Sequence, residues 1–90
     1  MSEATSDILP HILVVDDDTR LCRLLRRYLS DNGFRVSTAE DAAQARDQMR
    51  SMAFDLMVLD RMMPGEGGLA LAEALTRGGQ AVPILMLTAM

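Results

Sequence analysis

The 90-residue chain sets 9 basic residues, all arginine, against 13 acids for a net charge of −4, with 49% hydrophobic and 24% charged residues. That balance suits one small folded domain rather than a disordered chain, and it argues against a grip on nucleic acid through bulk charge. No apolar run reaches the roughly 20 residues of a membrane span, the start lacks the basic and apolar segments of a signal peptide, and a lone Cys22 excludes an internal disulfide or a cysteine-built zinc site, so a cytoplasmic protein is expected.

Residues 1–10 read as a polar, flexible tail and residues 11–90 as the folded part. HILVV (11–15) is a strand candidate that runs into Asp16-Asp17-Asp18. In TRLCRLLRRYLSDNG (19–33), Leu21, Leu24, Leu25, Tyr28 and Leu29 fall at helical spacing on one face, with Arg20, Arg23 and Arg27 on another. Asp18 or Thr19 can cap this helix, and Asn32-Gly33 supplies a left-handed stop. Cys22, inside the pattern, reads as a small partly buried hydrophobe. His11 stands alone, so a histidine-built metal site has little support.

FRVST (34–38) alternates as an edge strand does, and Asp41 caps a second helix with Ala42, Ala45, Met49 and Met52 as its buried positions. FDLMVLDRMMPGEGG (54–68) follows, in which the apolar run LMVL ends abruptly in Asp60 and a Pro/Gly-rich loop. Four apolar residues between turn signals predict a strand buried on both faces, as in a parallel sheet. A third helix runs through Leu69, Leu71, Ala72 and Leu75 to Gly78-Gly79, and Pro83 opens a last strand, ILMLT (84–88). The order β-α-β-α-β-α-β predicts an α/β fold, a parallel sheet with helices on both faces.

In such sheets ligands bind beyond the carboxyl ends of the strands, at the point where strand order reverses. Asp16 and Asp17 after the first strand, Asp60 at the end of the third and Thr88 at the end of the fourth all open onto that rim. Two carboxylates about 4 Å apart repel by about 4 kcal/mol at an effective dielectric near 20. Three therefore need a cation or a shifted pKa. Oxygen ligands without His or Cys favour a hard cation such as Mg²⁺, and an aspartate beside it is suited to attack phosphorus and form an acyl phosphate. Each residue also has a plainer reading: helix caps for the acids, a solvated strand end for Asp60, a strand former for Thr88.

ILVVDDD, MVLDRMMPGEGG and PILMLTA together resemble the receiver domain of bacterial two-component response regulators, most nearly the subfamily with a winged-helix DNA-binding output domain. The resemblance runs from about Ile12 to Ala89. It implies a flavodoxin-like doubly wound sheet with strand order 2-1-3-4-5, and a signalling switch rather than an enzyme. It also implies that Asp60 is the phosphoacceptor, charged by a sensor histidine kinase. Asp17 and Asp60 would ligate Mg²⁺ directly, Asp16 through water, and the Met62 backbone carbonyl would be the third protein ligand. Thr88 matches the switch hydroxyl, Ala89 the small position that leaves phosphate room, and Pro64 and Gly68 the loop that shapes the site.

A complete receiver has five βα units, so residues 11–90 are expected to form a partial one, lacking the fourth helix, fifth strand and fifth helix. The family's phosphate-contacting lysine would lie past that fifth strand, and this sequence contains no lysine. The fourth strand would then be an open apolar edge, and one sheet face would lack a covering helix. A piece of a longer regulator, a homodimer or a segment-exchanged assembly is expected on that ground. Arg20, Arg23 and Arg27 suit either a solvated face or a kinase-docking surface. Two other functions remain to be weighed: a receiver-derived interaction module that does not cycle phosphate, and a haloacid-dehalogenase-type phosphatase with Asp16 as nucleophile and Asp18 as acid/base. The second departs from its family pattern because Thr19 follows Asp18 directly, and it leaves LDRMMPG unexplained.

Overall fold

The computed structural model describes residues 9–61, 63, 65–79 and 82–87. Met62, Pro64, Thr88, Ala89 and residues 1–8 of the expected tail lie outside the described residues. The elements run β1 (His11–Val15), α1 (Thr19–Asp31), β2 (Arg35–Ala39), α2 (Ala42–Ser51), β3 (Leu56–Asp60), α3 (Gly68–Arg77) and β4 (Ile84–Leu87). All strand pairs are parallel, in the order β2-β1-β3-β4.

Every residue of β1 is buried, which is why HILVV is apolar without alternation. Its side chains still alternate between two cores. Leu13 and Val15 join Met57, Leu59, Ala42, Ala45, Leu71 and Leu75 on one face. Ile12 and Val14 join Val58 and Cys22 on the other, flanked by Leu25, Leu29 and Leu87. The chain reverses its direction of travel between β2 and β3, and right-handed crossovers then place α1 on one face and α2 with α3 on the opposite face.

The helix starts agree with the sequence. Asp18 caps α1 through the N–H groups of Arg20 and Leu21, and Asp41 caps α2 through that of Gln44. Gly33 follows α1 at φ 93°, a left-handed conformation that favours glycine. Other positions differ from expectation. Leu24 and Tyr28 are 62% and 64% exposed. α1 instead meets the sheet along Cys22, Leu25 and Leu29, and at about 100° per residue Leu24 and Tyr28 lie well around the helix from that line. Met52 is the C-cap of α2 in extended conformation and is 39% exposed, so it leaves the buried face. Leu69, in the first turn of α3, is exposed as well.

His11 is a core residue at the end of β1 away from the aspartates. Its Nε2 lies 2.8 Å from Ser37 Oγ and its ring 4.5 Å from that of Phe54. Among the described residues β4 pairs only with β3, and Leu85 on it is exposed. None of the described helices is long and apolar enough to cross a membrane.

Candidate functional site

The strand ends that converge on one rim are held together by backbone hydrogen bonds. The Asp16 N–H donates to the Ala39 carbonyl at 3.0 Å, joining the ends of β1 and β2. The Arg61 N–H donates to the Leu87 carbonyl at 3.0 Å, joining β3 to β4, and Leu87 is the register partner of Asp60. β1 and β3 lie side by side at the reversal of strand order, so their terminal carboxylates face one another across the switch point.

Asp16, Asp17 and Asp60 each offer a carboxylate oxygen, and these oxygens all lie within 4.8 Å of one another. Asp16 is buried, Asp60 half-buried and Asp17 exposed. Asp16 is held at two points: its Oδ1 accepts the Asp18 N–H at 2.9 Å, and its carbonyl accepts the Cys22 thiol at 3.3 Å. Cys22 thus serves as a buried anchor under the acid pair, with its own pKa raised by burial and then by Asp16 and Asp18. Three acidic oxygens so close, with no sulfur or imidazole among them, form the donor set of a hard divalent cation, and the residues present therefore fit Mg²⁺.

Burial raises the pKa of Asp16 above the ordinary carboxylate value, the Asp18 N–H opposes that, and the negative charges of Asp60, Asp17 and Asp18 reinforce it. A folded-state pKa above the unfolded one means that the metal-free native chain binds the extra proton. Asp16 therefore contributes stability that is fully present below its unfolded value of 3.8 and is lost as pH rises through its higher folded value. Asp16→Asn should remove that dependence. In metal-free buffer the stability difference between variant and parent, followed by thermal unfolding from pH 4 to 7, should grow in the variant's favour as pH rises. A difference that does not change with pH would contradict the assignment.

The loop between β3 and α3 returns against the site from below. Gly68, the first residue of α3, is buried, and its N–H donates to the Arg61 carbonyl at 3.1 Å. A Cβ there would overlap the Asp60 carbonyl oxygen and stand 2.8 Å from its carbon and 3.0 Å from Arg61 Cα. Only glycine lets the helix start approach the Asp60 backbone so closely.

Two features escaped the sequence reading. One is this close approach, which has no signature beyond a glycine pair at a helix start. The other is a two-pronged ion pair from Arg46 on α2 to Glu66 in the β3–α3 loop, with Nη2 donating to Oε2 at 2.7 Å and Nη1 to Oε1. The partners are 20 residues apart and obey no periodic spacing. Arg20, Arg23, Arg26 and Arg27 are exposed on α1.

Residues 12–90 match the family model described as the response regulator receiver domain. The chain is 52% identical over 80 residues to protein PetR of Rhodobacter capsulatus, covering 89% of this chain and 33% of PetR. It is 47% identical over 78 residues to response regulator MprA of Mycobacterium avium, covering 87% of this chain and 34% of MprA. The chain thus spans about a third of the length of these curated relatives. Among solved structures, response regulator TrrA of Thermotoga maritima, in complex with Mg²⁺–BeF, superposes with a TM-score of 0.84 at 35% identity, covering 91% of this chain and 71% of that one.

Proposed function

The chain belongs to the response regulator receiver domain family, whose members are phosphorylation-dependent signalling switches, and on that premise we propose that Asp60 accepts a phosphoryl group from a sensor histidine kinase. The observation that carries the proposal is the meeting of Asp16, Asp17 and Asp60 oxygens within 4.8 Å at the switch point. An Asp60 Oδ attacks phosphorus. The bond from phosphorus to the donor's imidazole nitrogen breaks, that nitrogen keeps the electron pair and later takes a proton, and an acyl phosphate remains on Asp60. Held by Asp17, Asp60 and the Met62 carbonyl, and through water by Asp16, Mg²⁺ would neutralise the acids that otherwise repel an incoming phosphoryl group.

The chain's own residues do the rest. The Asp18 N–H holds the Asp16 carboxylate in one orientation, and Gly68 lets the helix start lie against the Asp60 backbone. Thr88 directly follows the residue registered with Asp60, and its hydroxyl donates to a phosphoryl oxygen. By the family resemblance, Ala89 would leave that phosphoryl group room and Pro64 would belong to the loop beside it. Phosphorylation then shifts the population between two states of one fold. In a longer regulator that shift reaches a transcriptional output domain, and DNA is contacted only there.

Incubation with acetyl phosphate and Mg²⁺ tests the reading by intact mass. The chain should gain one phosphoryl group, and EDTA added beforehand should prevent the gain. No gain from a chain whose circular dichroism shows it folded would favour an interaction module that does not cycle phosphate.

A further inference from the structure

We propose that Arg46 and Glu66 are positioning residues for the carboxylate site, a role that rests on the phosphoacceptor reading and goes beyond it. Their ion pair joins α2 to the returning end of the β3–α3 loop. Glu66 immediately precedes Gly67 and Gly68, and these press on the site. A Cβ on Gly67 would stand 3.3 Å from the Arg61 carbonyl oxygen, and Gly68 lies against the backbone of Asp60 and Arg61. Glu66 therefore holds the segment that lies against the Asp60 backbone.

The anchor at the other end is firm. The first turn of α2 is capped by Asp41, Gln48 Nε2 donates to the Thr38 carbonyl of β2 at 2.6 Å, and Ala42 and Ala45 are buried in the core. Below the ion pair, α2 and α3 stand apart across a groove of about 260 Å³ lined by Arg46, Met49, Arg50, Ala74, Leu75 and Gly78. Met63 ties the same loop to the core, and the ion pair adds a second tie at the rim of that groove. Its two-pronged geometry sets orientation as well as distance. With side chains 37% and 30% exposed, such a pair adds little to global stability, and its effect should appear in the geometry of the carboxylates rather than in the unfolding midpoint.

The test is the Mg²⁺ affinity of the metal-free chain, read by titration calorimetry with MgCl₂ alone, together with the Mg²⁺ dependence of acetyl phosphate labelling. Glu66→Gln and Arg46→Gln should each weaken Mg²⁺ binding about two- to fivefold, the scale of losing one partly exposed ion pair. Their unfolding midpoints should stay within a few degrees of the parent. The charge swap Arg46→Glu with Glu66→Arg should recover most of the affinity. Should a single variant fail to fold, Glu66→Asp, which keeps the charge and shortens the reach, should give an intermediate loss. Unchanged affinity in folded single variants, or a loss that the swap does not recover, would overturn the proposal. A parent that binds Mg²⁺ but takes no phosphoryl group would instead count against the phosphoacceptor reading, and the calorimetry would still decide the role of the pair.

Discussion

Gly68→Ala should destabilise the chain by about 1–3 kcal/mol, lowering the unfolding midpoint by roughly 5–20 °C for a domain of this size. Helix propensity alone predicts the opposite sign, since replacing glycine by alanine inside a helix ordinarily gains roughly 0.5–1 kcal/mol. The geometry decides against propensity. The new Cβ would overlap the Asp60 carbonyl oxygen and stand 2.8 Å from its carbon. Both are backbone atoms at the end of a central strand, and they cannot swing aside as a flexible side chain would. Either α3 lifts and draws its own buried Leu71 and Leu75 out of the core, or the Asp60 backbone moves out of the site. Both routes weaken Mg²⁺ binding. Gly78→Ala is the control: its Cβ would meet the Ala74 carbonyl oxygen at 3.4 Å and its φ is −79°, so thermal unfolding should change little. A stable Gly68→Ala chain with parental Mg²⁺ affinity would contradict the close approach.

Asp60→Asn should abolish phosphoryl incorporation while making the metal-free chain more stable. Asparagine keeps the shape and one oxygen acceptor but has no anionic oxygen to attack phosphorus. It also removes one of the charges that raise the Asp16 pKa. Two carboxylates about 4 Å apart cost about 4 kcal/mol at an effective dielectric of 20. Solvent reaching Asp17 and Asp60 screens that to roughly 1 kcal/mol, or several degrees in midpoint. Mg²⁺, which should raise the parent's midpoint by binding the native state, should do so far less in the variant. Differential scanning fluorimetry with and without Mg²⁺ reads both effects. A variant less stable than the parent in EDTA would mean that Asp60 holds the fold by a contact stronger than the repulsion it causes.

How far the site was legible in the sequence follows from what each residue depends on. Asp16, Asp17 and Asp60 could be brought together because runs such as ILVV and LMVL mark central strands, and parallel connections send all their carboxyl ends to one rim. Asp18 and Asp41 were legible as caps because capping is local, requiring only an acid just before a helical pattern. Leu24 and Tyr28 were misjudged because an apolar stripe on α1 shows which residues could be buried, while the line of contact with the sheet decides which are. Met52 was misjudged because the helix ends before it. The packing of Gly68 on Asp60 and the Arg46–Glu66 pair depend on tertiary distances alone and have no counterpart in spacing or composition.

The most direct test of the account is to find which aspartate carries the phosphoryl group. The chain is labelled with acetyl phosphate and Mg²⁺, reduced with borohydride, which converts an aspartyl phosphate to homoserine, and mapped by peptide mass. The account predicts homoserine at position 60 and unmodified aspartate at positions 16 and 17. Homoserine at position 16 would contradict it and point to a phosphatase-type nucleophile at the end of the first strand.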